Sequence, residues 1–253
     1  MGIVSRNRLD ALVVARGLAD TRARAQALIL AGHVRVNNAI KSKAGTQIAL
    51  DAHITVTEPD HPYVGRGGVK LAHALDRFGI DVRSRIALDI GASTGGFTDV
   101  MLQRGASRVV ALDVGRAQLD WILRGDPRVT TVEGTNARYL TPDDPPGGIR
   151  QFDLVTIDVS FISLRLILPA VPSFLASDAD IVALVKPQFE AGRSEVGKGG
   201  IVRNPDVHAR VVEEVAIAAD ALGLTQLSTT ASPILGAEGN QEFFLHLRCG
   251  AIP

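Results

Sequence analysis

From residue 85 onward, short apolar runs alternate with amphipathic segments, and this alternation limits the chain to few folds. Runs of that length bounded by turn residues are buried strands, and helical spacing between them supplies the crossovers of a parallel sheet with helices on both faces. Strands are expected at Ile86–Ile90, Arg108–Asp113, Val129–Glu133, Leu154–Asp158, Ile181–Val185, about Gln226–Ala231, and Glu242–Leu247. Helices are expected at Phe97–Arg104, Ala117–Leu123, Leu164–Phe174 and Pro205–Leu222. The spacing of Leu71, Ala74, Leu75 and Phe78 adds a helix from Lys70.

The first sixty residues read differently, as a small α+β unit. A helix from Arg8 to Arg16 stops at Gly17, and a second from Arg22 to Ala31, capped by Asp20 or Thr21, stops at Gly32. Strand Val34–Val36, an Asn37-Asn38 turn and strand Ile54–Val56 follow. The expected division is therefore an N-terminal domain at 1–58, a Gly/Pro-rich linker at 59–69 and an α/β domain at 70–253. The glycine-rich stretch Gly192–Gly200 has the composition of a flexible lid.

Composition excludes several classes. With 46% hydrophobic and 21% charged residues the chain is globular rather than disordered. Its single cysteine, Cys249, cannot make an intrachain disulfide or a Cys-rich zinc site, so no metal is expected. Arg6, Arg8 and Asp10 interrupt any signal-like apolar start, and the longest apolar stretch, Leu166–Ala176, contains Pro169 and Pro172. That is far short of the roughly 20 residues that span a bilayer. A cytoplasmic protein with no membrane partner is expected. The formal charge is zero but uneven: residues 1–50 hold eight Lys/Arg against two acids, so an acidic body carries a basic head. Arg6, Arg22, Arg24, Arg35, Lys41, Lys43 and, in the linker, Arg66 are the candidate contacts to a polyanion such as RNA.

The segment Leu88-Asp-Ile-Gly-Ala-Ser-Thr-Gly-Gly-Phe-Thr98 stands where a strand ends and a helix begins, the place where open α/β sheets bind ligands. Its glycine spacing is not that of a dinucleotide site, and it follows an acid, Asp89. A carboxylate suits the cationic end of S-adenosyl-L-methionine, and loop N–H groups suit its carboxylate. Asp89, Gly91, Ser93, Thr94, Gly95, Gly96 and Phe97 are therefore expected at this cofactor. Asp113, at the end of the second strand, is placed for ribose hydroxyls, and Asn136, after the third, for the adenine edge.

Asp158 and Lys186 end the fourth and fifth strands, Glu242 opens the last, and Lys70 opens the helix before the sheet. A lysine following the apolar run Ile181–Val185 must find a partner such as Asp158 or Glu242.

Two resemblances sharpen these readings. Residues 6–58, with the run Ala31-Gly-His-Val-Arg-Val-Asn37 after a helix pair, resemble the S-four-type RNA-binding domain. The motifs DIGASTGGFT, DVSFIS, LVKPQFE, GKGGIVRNP and EGNQEFF resemble the TlyA family, bacterial ribosomal RNA 2′-O-methyltransferases sometimes labelled hemolysins. Their catalytic domain is similar to FtsJ-type RNA ribose methyltransferases with a Rossmann-like α/β fold. The resemblance implies a catalytic tetrad of Lys70, Asp158, Lys186 and Glu242, with Lys186 as base or as stabiliser of the forming alkoxide. It implies methylation of cytidine in 23S and/or 16S rRNA on ribosomal subunits. Two departures stand out: Tyr63-Val-Gly-Arg66 replaces an aromatic-Val-Ser-Arg linker, and Pro253 follows soon after the last strand where some members continue into a C-terminal helix, which leaves the subunit open. The rival readings are a membrane-active hemolysin and a non-catalytic RNA-binding assembly factor.

Overall fold

Ten apolar side chains, among them Leu9, Val13, Ile29, Val34 and Ile54, are buried together to form the core of the N-terminal unit. The computed structural model describes residues 6–19, 21–56, 61–236 and 238–249. In the first unit, β1 (Arg6–Arg8), α1 (Leu9–Ala15), α2 (Arg22–Leu30), β2 (Val34–Val36), β3 (Ala39–Ile40), β4 (Gln47–Ala49) and β5 (Ile54–Val56) follow in order. Strands β3-β2-β5 form an antiparallel sheet, and β1 pairs with β4. The Asn37-Asn38 turn forms as expected, both residues at positive φ (48° and 66°), the geometry of a type I′ hairpin. Thr21 caps α2 by accepting from the Arg24 amide at 3.1 Å; Asp20, the other expected cap, lies outside the described residues.

The second unit runs α3 (Gly67–Phe78), β6 (Ile86–Ile90), α4 (Gly96–Gln103), β7 (Arg108–Asp113), α5 (Trp121–Arg124), β8 (Val129–Glu133), β9 (Phe152–Ile157), β10 (Leu175–Val185), α6 (Pro187–Glu190), α7 (Pro205–Asp220), β11 (Leu224–Ala231) and β12 (Phe243–Cys249). Seven strands make one sheet in the order β11-β12-β10-β9-β6-β7-β8. Strands β10, β9, β6, β7 and β8 are parallel. The sheet is mixed rather than wholly parallel: β12 runs antiparallel between β10 and β11. One face buries Leu71, Leu75, Phe97 and Met101 of α3 and α4. The other buries α7 through Val207, Val211, Val215 and Ala219, together with Leu164, Leu168 and Phe174.

Two expected helices differ. Residues 164–174 form three separate 3-10 turns, Leu164–Leu166, Leu168–Ala170 and Pro172–Phe174, because Pro169 and Pro172 lack the N–H groups a continuous helix requires. Of Ala117–Leu123 only the last turn is helical, starting at Trp121: Ala117 has φ +56°, and Asp120 caps the turn through the Ile122 amide. Helix α3 begins at Gly67, three residues before Lys70, and Tyr63 and Val64 pack on the core beneath it.

Candidate active site

Each strand of a parallel sheet delivers the residue after its carboxyl end to the same edge, and here the edge is crowded. The Asp158 amide donates to the Ile90 carbonyl at 2.9 Å, so the segments leaving β6 and β9 run side by side. A Cβ on Gly91 (φ +86°) would lie 2.3 Å from the Asp158 carbonyl oxygen, which is why only glycine fits there. Beyond the loop, a Cβ on Gly96 would meet the Gly68 amide at 2.9 Å, so α4 and α3 approach backbone to backbone.

This edge opens into a cavity of about 420 Å³, within the range of small-molecule sites. Of the residues expected at a cofactor, Gly91, Ser93, Thr94, Gly96 and Phe97 line it. The other four stand outside its walls. Asp89 is fully buried under the loop, accepting from Thr98 Oγ1 at 2.7 Å and Thr156 Oγ1 at 2.9 Å. Burial pushes its carboxyl up to about 7, against the two hydroxyls that pull it down. It supports the loop rather than facing a ligand's cation. Gly95 (φ +96°) faces Leu119 and Leu123, so its missing side chain makes room for α5. Asp113 accepts from the Ser93 amide at 2.8 Å and the Gly115 amide at 2.6 Å, tying the glycine loop to the end of β7. Asn136 is exposed and caps the turn Ala137–Tyr139 through the Arg138 amide. The cavity wall still fits a nucleoside bearing an amino acid: backbone N–H groups at the start of α4 suit a carboxylate, and Phe97 supplies an apolar surface.

In the same cavity the structure brings Lys70, Asp158, Lys186 and Glu242 together as two ion pairs. Lys186 Nζ lies 2.5 Å from Asp158 Oδ1 and donates to Ser160 Oγ at 2.9 Å. Lys70 Nζ lies 2.5 Å from Glu242 Oε2, with both residues buried. Burial opposes ionisation of Asp158, but the charges of Lys186 and Lys70 prevail and hold its carboxyl below the ordinary range. The two pairs are thus coupled through Lys70.

Sequence reading missed the remaining walls. Ser160, Phe161 and Phe189 come from the loop after β9 and from α6; Leu30, Ile40 and Ser42 come from the N-terminal unit. None carries a signal in isolation, since only the fold places them over the cavity. The two units are joined by exposed ion pairs, Arg24 to Asp120 and Lys43 to Glu238, each at 3.1 Å. The expected basic surface is therefore partly occupied: Arg24 and Lys43 face acids of the second unit, and Arg22 is bound to the buried Asp10 at 3.0 Å. Arg35 donates to the Asn38 carbonyl, Arg6 is exposed, Lys41 is half-buried, and Arg66 lines the cavity and covers Gly32. The glycine-rich segment 192–200 does not reach the cavity; Asn240 holds it by bonds to the Gly200 carbonyl and the Val202 amide. Among the described residues no cluster of three or more His, Cys, Asp or Glu could hold a metal, and no helix is long and apolar enough to cross a membrane.

Residues 63–249 match the model of the FtsJ-like methyltransferase, and residues 7–54 match that of the S4 domain. The chain is 51% identical to the Bacillus subtilis protein YqxC, whose name describes an rRNA methyltransferase, over 96% of this chain and 85% of that one. It is 50% identical to the 16S/23S rRNA (cytidine-2'-O)-methyltransferase TlyA of Mycobacterium tuberculosis, over 96% of this chain and 90% of the relative. A solved structure from Streptococcus thermophilus, described as a hemolysin, aligns with a TM-score of 0.75 at 44% identity, covering 99% of this chain and 91% of that one.

Proposed function

The chain belongs to the FtsJ-like methyltransferase family, and from that premise we propose that it methylates the ribose 2′-hydroxyl of a cytidine in ribosomal RNA. S-adenosylmethionine is the methyl donor, and when bound it supplies an electrophilic methyl group. The observation that carries the reading is the pair of lysine–carboxylate contacts that line the same cavity as the glycine loop.

A ribose hydroxyl is a weak acid, so it needs a group that takes its proton or steadies the oxyanion as it forms. Lys186 is assigned that role, held by Asp158. Lys70, fixed by Glu242, steadies the ribose or an adjoining phosphate and adds positive charge beside Asp158. The transfer needs in-line positioning more than covalent help, so holding the hydroxyl in place supplies much of the rate. Gly91, Ser93, Thr94, Gly96 and Phe97 hold the cofactor, with Asp89, Gly95, Asp113 and Asn136 shaping the loops around it.

The N-terminal domain (1–58), joined by a linker (59–69) to the catalytic domain (70–253), docks on structured RNA through phosphate contacts. Arg6, Arg22, Arg24, Arg35, Lys41, Lys43 and Arg66 are the proposed contacts, and the target nucleotide is flipped into the cavity between the domains. The reading places the protein in the cytoplasm, with ribosomal subunits as partners, and assigns no step to a metal.

The test is methyl transfer from labelled S-adenosylmethionine to purified subunits and to naked rRNA, with wild type and Lys186→Ala compared. Label in the ribose of one rRNA, lost in the variant, is expected and names the subunit. Cofactor binding without label on any rRNA would reject the substrate. Liposome leakage by the pure protein, unchanged in Lys186→Ala, would favour the membrane-active reading instead.

A further inference from the structure

The segment after β9 contains a left-handed, non-glycine backbone conformation. Phe161 has φ +65°, a left-handed conformation that bulky residues rarely adopt, and its ring is 82% exposed. A residue held this way costs free energy, and such sites cluster where geometry serves a function. The residue just before it, Ser160, is the one whose hydroxyl accepts from Lys186 Nζ at 2.9 Å.

The position of this segment is fixed from its other end. Buried Glu190 accepts from Ser163 Oγ at 2.5 Å and from the Leu164 amide at 2.7 Å. Glu190 lies in α6, one helical turn beyond Lys186. The loop carrying Ser160 and the turn carrying Lys186 are thereby clasped together. Three features coincide at one place: a strained residue, a buried carboxylate clasp and a direct bond to the lysine.

We propose that Ser160 is a positioning residue that aims the Lys186 nitrogen at the ribose hydroxyl. A neutral lysine amine has four tetrahedral directions: Cε, two N–H bonds and a lone pair. Ser160 accepts one N–H at 2.9 Å, while the Asp158 carboxylate stands 2.5 Å from the nitrogen as its ion-pair partner, so Ser160 supplies the directional bond that orients Nζ. With Ser160 absent, the ion-pair contact with Asp158 remains but no hydrogen bond fixes the rotation of the amine about Cε–Nζ. The same two partners hold the ammonium once the 2′-hydroxyl proton has moved to Nζ. This inference rests on the role assigned to Lys186 above.

The experiment measures single-turnover methyl transfer to rRNA against pH for wild type, Ser160→Ala, Ser160→Thr and Lys186→Ala. Ser160→Ala is expected to slow the transfer roughly tenfold, the loss of about one hydrogen bond to a charged group. Its binding of S-adenosylmethionine and of RNA is expected to match wild type. The acidic limb of its pH–rate profile should move to lower pH, because the ammonium has lost its hydrogen-bond acceptor and keeps only the Asp158 ion pair. Ser160→Thr, which keeps the hydroxyl, should restore both rate and profile. An unchanged rate in Ser160→Ala would overturn the proposal. So would a slower rate with an unmoved profile and no rescue by threonine, the signature of a merely structural residue. If Lys186→Ala itself remained fully active, the assignment of the lysine would fall, and Ser160 with it.

Discussion

Two buried aspartates show how environment sets the same side chain in opposite ways. Asp180, at 1% exposure, is surrounded by Arg85 at 2.6 Å, His246 at 2.7 Å and Arg248 at 2.6 Å. Burial opposes its charge, but the three partners prevail and its carboxyl lies well below the ordinary range. A depressed carboxylate stabilises the fold above its unfolded pKa and loses that contribution as pH falls through the folded value. Asp180→Asn is expected to cost about 3 kcal/mol at neutral pH, since it removes the buried carboxylate that Arg85, His246 and Arg248 share. Urea unfolding of the two proteins measures the difference, which should shrink on acidification. Asp89 has the hydroxyls of Thr98 and Thr156 and the Thr98 amide in place of cations, and burial prevails. Its raised carboxyl keeps a proton in the folded state that the unfolded chain has released, so stability falls between about pH 4 and about 7, by roughly 1 kcal/mol per pH unit. Asp89→Asn, which has no proton to lose, should flatten that segment of a Tm-against-pH curve. A segment that persists unchanged in the variant would assign the effect elsewhere.

At the scale of elements, glycines with left-handed backbones differ in what they make room for. Gly91 abuts the backbone of Asp158, which cannot yield without moving a proposed catalytic residue. Gly223 has an equally left-handed φ of +75° but nothing within 4 Å of its Cβ position. Gly223→Ala should therefore cost only the conformational penalty, about 1 kcal/mol, and leave methyl transfer intact. Gly91→Ala should cost more and abolish transfer, because it pushes apart the loop and the strand end that build the cavity. Thermal melts and the methylation assay on both variants check the contrast. Prolines explain the other local surprise. Helical spacing across residues 164–174 is real and buries Leu164, Leu168 and Phe174 on one side, but Pro169 and Pro172 break the backbone into single turns.

Across the whole molecule, the two domains meet over the cavity, and their visible ion pairs are exposed. Such pairs contribute about 0.2–1 kcal/mol each and are screened by salt. Lys43→Ala is accordingly expected to change unfolding stability by less than about 1 kcal/mol. It should nevertheless weaken rRNA binding and lower the slope of log affinity against log salt by about one, as loss of one phosphate contact requires. Equal slopes for wild type and variant would remove Lys43 from the RNA surface. If Arg24 and Lys43 contact RNA as proposed, phosphates there would displace the carboxylates of Asp120 and Glu238.

Local pattern was enough for the strands at 86–90, 108–113 and 129–133, for the Asn37-Asn38 turn, and for Lys186 as a lysine that needed a carboxylate partner, while the resemblance supplied the set Lys70, Asp158, Lys186 and Glu242. These depend on short-range periodicity, turn chemistry and the cost of burying a charge, all of which act on neighbouring residues. Which lysine pairs with which carboxylate depended on tertiary structure: 172 residues separate Lys70 from Glu242, and only the insertion of β12 beside β10 brings the glutamate to the cavity. The same holds for Asp89, which sequence places beside a ligand and packing turns beneath the loop, and for Ser160, whose bond to Lys186 needs β9 and β10 to lie side by side. Strand order and the direction of a side chain are set by contacts between distant segments, and no local pattern encodes them.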